Sequence, residues 1–278
     1  MRHILIPTDF SLAAQNAYQY SMRLTRQMPA RLSLLHVLPE RPVVRNYEQW
    51  PTADPLQTEK VEEAMKRFDQ FRNPFGSLEV KEEVLIETGQ PAHEILHSAV
   101  EESVDLIVMG RDSSPKPDDA FFGNVLSTVM YDAKCPVLIV PEKYPYRPIQ
   151  HVMYATTFRA RDLTALDKVS EEAFKMGAKV SCVHIERNSL EWREVLPNTQ
   201  AAASNGATQA AQQPVTYVSF DKDHLGDGLN EFIREHRVDL VVMVTQPRNL
   251  FDQLLRPSMT GQIAASLQVP MMVYHKAS

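Results

Sequence analysis

Short apolar runs alternate along the chain with longer stretches of helical period. Residues 3–7 (HILIP) form the first run, and a run this short between polar residues reads as a strand covered on both faces. Thr8-Asp9-Phe10-Ser11 reads as a turn, with Ser11 placed to cap a helix. Ala13, Ala17, Tyr20 and Leu24 then recur on one helical face. Residues 31–38 (RLSLLHVL) are a second strand. Asp54-Pro55 offers a cap and a first helical residue, and Val61, Met65, Phe68 and Phe71 follow at helical spacing. Asn73-Pro74-Phe75-Gly76 ends that helix. Residues 79–87 alternate apolar and charged positions through Val80, Val84 and Ile86, the pattern of a half-exposed edge strand. Gly89-Gln90-Pro91 opens a helix carrying Ile95, Leu96, Ala99 and Val100.

Residues 105–140 follow: DLIVMG, a polar loop RDSSPKPDDAFFG, a helix from NVLSTVMYDA, and a last strand CPVLIVP. The order β-α-β-α-β-α-β-α-β calls for a parallel sheet with right-handed crossovers and helices on both faces. EKYPYRP has no period and two prolines, and reads as a linker.

The pattern then repeats. IQHVMYATTF at 149–158 echoes RHILIPTDF, and GAKVSCVHI at 177–185 echoes the strand that holds His36. His36/His184 and Asp9/Thr157 share an offset of 148, whereas VDLIVMG/VDLVVMV and CPVLIV/VPMMVY share 134. The shortening falls between the second and third strands, where 190–213 includes AAASNGATQAAQQ, a small-polar segment that reads as flexible. The chain therefore divides into 1–142, a linker at 143–148, and 149–278: two α/β domains in tandem, each a doubly wound five-stranded parallel sheet.

Charge and cysteine content narrow the partners. A net charge of −6 without any Lys/Arg run gives no field to attract nucleic acid, which is not an expected partner. No run approaches the length of a membrane span, and MRHILIPTDF is too short and too broken to be a signal peptide, so the expected compartment is the cytoplasm. Cys135 and Cys182 sit in apolar runs without metal-ligand spacing, as reduced, buried thiols do.

Taken together and in order, IPTDFS, LLHV, ETGQPAHEIL, VDLIVMG, Gly123 and CPVLIVP resemble the universal stress protein family in its tandem two-domain form. The resemblance covers nearly the whole chain. It implies an adenine nucleotide alpha hydrolase-like, Rossmann-like fold, a cytoplasmic stress-linked role, and pairing of the two halves through their last strands, with a homodimer as a further candidate. It also implies where a nucleotide would sit. Pro7, Thr8 and Asp9 would line the adenosine side, Val37 would offer backbone atoms to the base, and Met109, Gly110, Ser113, Gly123, Asn124 and Val125 would form the phosphate side.

Nucleotide-binding members carry two spaced glycines and then Gly-Ser or Gly-Thr, because small residues let backbone N–H groups approach phosphate oxygens at a helix N-terminus. Here the frame falls on Gly110, Ser113, Gly123 and Asn124, which keeps two glycines of three. Pro115 and Pro117 remove N–H donors, and Asp112, Asp118 and Asp119 outnumber Arg111 and Lys116. In the second half the same frame falls on Val244, Pro247, Pro257 and Ser258, with Thr157 in the place of Asp9, so that site reads as lost. ATP or AMP in the first half is the candidate ligand, and no cofactor is required.

Other residues have structural explanations beside functional ones. Asp9 can bind a ribose or close a turn, and Val37 serves equally as core. His36 and His184 lie inside apolar strands with no second ligand spaced near them, which favours a structural role. His93-Glu94-Ile95-Leu96-His97 matches HExxH, but a zincin helix needs a third ligand downstream and a different fold, and this helix is already used in a βαβ unit. Met259, Met271 and Met272 read as core filler. Phe121 and Phe122 stand at the loop end, to cover the cleft, lock it, or meet a partner. No nucleophile–base pair, Gly-x-Ser-x-Gly elbow or carboxylate cluster is present. The expectation is a non-enzymatic stress regulator or binding module with degenerate nucleotide sites and an unnamed protein partner. The alternative is an ATP- or AMP-binding stress protein using the first half, with slow hydrolysis.

Overall fold

The computed structural model describes residues 2–39, 55–73, 80–112, 124–156, 160–186, 193–194, 215–219, 225–245 and 267–275. In chain order the first half runs β1 (Arg2–Pro7), α1 (Leu12–Leu24), β2 (Ala30–Leu38), α2 (Pro55–Arg72), β3 (Glu82–Thr88), α3 (Pro91–Glu101), β4 (Leu106–Arg111), α4 (Asn124–Asp132) and β5 (Val137–Pro141). The second half runs β6 (His151–Thr156), α5 (Ala160–Lys175), β7 (Lys179–Glu186), β8 (Arg193–Glu194), β9 (Val215–Ser219), α6 (Leu225–His236), β10 (Leu240–Thr245) and β11 (Met271–His275).

The strands described form one sheet in the order β3-β2-β1-β4-β5-β11-β10-β6-β7-β9-β8. Within each half the long strands pair in parallel and follow the same doubly wound order. The halves meet where β5 pairs antiparallel with β11, through Val137↔Val273, Leu138↔Met272 and Ile139↔Met271. Because the paired strands are repeat equivalents, this seam lies on a pseudo-two-fold axis. The two halves are thus joined edge to edge within one chain.

Apolar runs make these strands because both faces of the sheet are covered. One core holds Leu5, Val129, Ile139, Met153, Phe232 and Val273; the other, on the opposite face, holds Ile4, Tyr20, Phe68, Leu138, Tyr154 and Val242. Each core runs across the seam. On α1 the expected face is buried, and Ser11 caps the helix, its Oγ accepting from the N–H of Ala14 at 3.2 Å.

Two helices are rotated from the expected faces. On α2 the buried stripe is Ala64, Phe68 and Phe71, whereas Val61 and Met65 are 36% and 41% exposed. Phe68 and Phe71 pack on Phe10, which turns the helix towards the small Ala64. On α3, Val100 is 58% exposed because five residues carry it about 140° round from the buried Ile95. The third strands also refine the repeat. Leu34 pairs with Val84 and its equivalent Cys182 with Val215, an offset of 131 for the third strand, so a few residues are regained before β10. The segment 195–214, with most of the small-polar stretch, lies outside the described residues.

Side chains stitch the halves beyond the strand pairing. The Gln27 amide in the turn after α1 donates to the carbonyls of Ile149 (3.2 Å) and Met176 (3.3 Å). Its carbonyl accepts from Ile149 N–H (2.9 Å) and Tyr146 O–H (3.0 Å). Asn16 donates to the carbonyls of Pro141 (2.8 Å) and Tyr144 (2.9 Å), so residues 141–146 are held against α1. Arg2 pairs with Glu172 across the seam.

Candidate functional site

In a doubly wound sheet the crevice opens at the carboxyl ends of the strands, where the chain order reverses. Here that is the gap between β1 and β4. Pro7 and Thr8 are buried at the end of β1, and Asp9 is exposed just beyond. Thr8 N–H continues the ladder to Leu35 O at 2.8 Å. Both polar side chains close the turn: Thr8 Oγ1 accepts from Phe10 N–H and Asp9 Oδ1 from Ser11 N–H, each at 2.9 Å. Phe10 takes a left-handed φ of 65°. Its ring lies 4.6 Å from His36 and 5.0 Å from Phe68, with the Arg67 guanidinium 4.2 Å from its centroid. His36 Nδ1 donates to Thr8 O at 2.8 Å, since a carbonyl can only accept. Its imidazole is part of the turn's scaffold.

Val37 is half-buried near the end of β2, and Met109 is buried near the end of β4. Gly110 follows Met109 and keeps its ladder position opposite Val140. A Cβ on Gly110 would lie 2.1 Å from Ala13 O and 2.7 Å from Ala14 N, so the first turn of α1 rests directly on this residue. Chain packing alone requires glycine there. In the second half the equivalent Val244 is half-buried and packs against the core.

Asn124 opens α4, and Val125 packs against the core from that helix. The structure thus brings Pro7, Thr8, Asp9, Val37, Met109 and Gly110 to one end of the sheet. Ser113, Gly123, Phe121, Phe122, Thr157, Pro247, Pro257, Ser258 and Met259 lie outside the described residues, as does the His184 side chain. Arg111, one of two cations of the loop, donates across the seam to Leu267 O, and its burial lowers its pKa.

The remaining candidates resolve individually. His93 and His97 are exposed and stacked with centroids 6.2 Å apart, and His93 Nδ1 bonds Glu94 at 2.9 Å. Among the described residues no three His, Cys, Asp or Glu side chains gather as metal ligands would. No described helix is long and apolar enough to cross a membrane. Cys182 is buried, and burial pushes the half-buried Cys135 thiol up to about 11, away from reactive thiolate character. Met271 is core, as expected.

A further polar pair repeats between the halves. His3 and His151 are buried at the opposite end of the sheet, with Nε2 at 2.6 Å from Ser33 Oγ and 2.8 Å from Ser181 Oγ. Asp105 and Asp239 each accept the backbone N–H of their histidine, at 2.8 Å and 3.0 Å. The residues obey the repeat offsets, which was the available signal; inside apolar runs they look like strand filler. The networks differ. Ser33 donates to Glu83 at 2.6 Å, so His3 Nε2 donates to Ser33. His3 Nδ1 then accepts from Arg31 at 2.8 Å, although Glu102 O stands 3.0 Å away, whereas His151 Nδ1 donates to the equivalent His236 O at 2.9 Å, leaving Nε2 to accept from Ser181.

Burial holds the His151 imidazole below its ordinary value, and Lys179 adds to this; burial likewise lowers His275. The unfolded chain, with histidine near ~6.5, then binds protons that the folded chain refuses. Stability is complete above that value and declines as pH falls towards the folded values. Melting temperature should therefore drop between about pH 7.5 and about pH 5.5, and His275→Gln should flatten part of the drop. An unchanged slope in that variant would contradict the assignment.

Comparison with known proteins agrees with this architecture. The sequence pattern described as the universal stress protein family matches residues 1–141 and again residues 148–275. Universal stress protein YxiE of Bacillus subtilis is 30% identical over 143 residues, spanning 49% of this chain and 97% of that protein. Universal stress protein MJ0531 of Methanocaldococcus jannaschii is 29% identical over 141 residues, spanning 50% of this chain and 81% of that protein. The crystal structure of a universal stress protein from Archaeoglobus fulgidus aligns over 99% of this chain and 98% of its own, at 18% identity and a TM-score of 0.71. At that identity the likeness speaks for the fold. The chain belongs to the universal stress protein family, with the family pattern present twice in tandem.

Proposed function

We propose that this chain is a non-catalytic stress-response regulator, a binding module whose first half keeps the outline of an adenine-nucleotide crevice. In this reading the second half is structural. The observation that carries it is at Gly110: a Cβ there would lie 2.1 Å from Ala13 O, so the packing of α1 accounts for this glycine without any phosphate. Further support comes from Thr8 and Asp9, whose side chains close the turn. The sequence after Gly110 adds Ser113 for a glycine, two prolines, and an excess of acids over bases.

A second reading is an ATP- or AMP-binding protein that uses the first half alone. It is favoured by the exposure of Asp9 at the switch point, close in the fold to Val37 and Gly110. Turnover and retention separate the two. Purified protein incubated with Mg-ATP should release no phosphate above the buffer rate, and acid extracts should hold no stoichiometric adenine nucleotide. Phosphate release that disappears in Asp9→Ala would establish the second reading.

A further inference from the structure

Helices α1 and α5 cover the same face of the sheet, one from each half, and part where the halves meet. A cavity of about 240 Å³ lies in that gap. It is lined by repeat equivalents: Ile4 with Val152, Leu106 with Leu240, and Met28 with Met176. The cavity is therefore a product of tandem pairing, and neither half encloses it alone. It is separate from the nucleotide crevice. Leu106 on its wall starts β4 and Asp105 just precedes it, at the end opposite to that of Asp9 and Gly110.

The lining is mainly apolar, and its polar groups are unequal. Arg2 and Glu172 pair with each other. Glu171 and Glu172 also accept from Lys175, at 2.7 Å and 3.3 Å. Asp105 accepts the N–H of His3 at 2.8 Å. Two lining groups, Lys168 and Tyr274, have no hydrogen bond or ion pair among the described residues. Burial pushes the Tyr274 phenol up to about 12, with Glu172 adding to it, so its hydroxyl remains a neutral donor at neutral pH. With no acceptor among the described residues, an exposed ammonium at the rim and a phenol on the wall of a mainly apolar cavity suit a ligand with one anionic end.

We propose that this seam cavity binds a small amphipathic carboxylate, its hydrocarbon part against Met28, Met176 and the sheet, its carboxylate at Lys168 and Tyr274. Small-ligand sites favour domain interfaces and join an apolar wall to a few placed polar groups. The volume lies below the ~300 Å³ lower bound of drug-sized pockets, which limits the ligand to a short or medium chain. Methionines on facing walls adapt to such a chain without a fixed shape.

Calorimetric titration of the full chain with octanoate tests this. Saturable binding of one octanoate per chain is expected, with no binding of acetate and at least tenfold weaker binding of 1-octanol, which lacks the charge. Lys168 is exposed, so Lys168→Glu should fold normally and weaken octanoate at least tenfold. Tyr274→Phe should weaken it less, and Met28→Trp should abolish it by filling the cavity. Absence of saturable binding, uptake of many octanoates per chain, or equal affinity in Lys168→Glu would overturn the proposal.

Discussion

Gly110→Ala should lower the melting temperature by about 6–12 °C, the largest effect expected of a single added methyl in this chain. The added carbon would meet Ala13 O at 2.1 Å and the Ala13 carbonyl carbon at 2.2 Å, both backbone atoms of the first turn of α1. No side-chain rotation relieves such a contact. Either α1 lifts from the sheet, taking the turn at Asp9 with it, or β4 bends out of its ladder with β5. Overpacking of this kind costs about 3 kcal/mol or more, and each kcal/mol is worth about 2–4 °C in a protein approaching this size. Gly177 supplies the comparison. It has a φ of 72° and open space around it, so Gly177→Ala should cost only about 1 kcal/mol of backbone strain. Equal stability of the two variants in urea titrations would remove the packing explanation for Gly110.

Val273→Asp is expected to be worse. Val273 has no exposed surface and stands at the centre of the sheet, between Met243 on β10 and Val137 on β5. A carboxylate there has no partner and sits in the core that both halves share. The loss at neutral pH should exceed about 4 kcal/mol, the range reached only by buried charges and comparable defects. Because burial favours the protonated carboxyl, the variant should recover some stability on acidification, opposite in sign to the histidine effect. Wild type should unfold in one urea transition, since both cores cross the seam. The variant should fail to fold or unfold in two steps. A single transition at the wild-type midpoint would mean that the seam contributes little.

Strand positions were legible in the sequence because a parallel sheet covered on both faces demands unbroken apolar runs, and HILIP, DLIVMG and CPVLIVP have no other simple use. The tandem plan was legible because equivalent residues keep fixed offsets. Helix rotation was less so. Val61 and Met65 fit a helical stripe as well as Ala64 does, and the choice depends on Phe10, which reaches α2 only after the chain has folded back. His3 and His151 were hidden for a related reason: a buried histidine is recognisable only once its serine on the adjacent strand is known. The candidate site was legible in position but not in cause. Sequence alone presents Gly110 as a remnant of a phosphate loop, whereas the contact with Ala13 gives it a role whether or not a nucleotide is present. The cavity on the seam had no sequence signal, because its apolar walls are ordinary core residues and its charged residues look like any solvated helix face or strand end.

In the proposed reading the crevice beside Asp9 and Gly110 survives as architecture and no longer holds a triphosphate. Thermal melting of the full chain with and without millimolar Mg-ATP tests it most directly. A ligand at ~100 times its dissociation constant adds ~2.7 kcal/mol, a shift of several degrees. No shift is expected, and Gly123→Val should melt at the same temperature with or without Mg-ATP. A rise of several degrees in the wild type that vanishes in Gly123→Val would contradict it and make the first half a working nucleotide site.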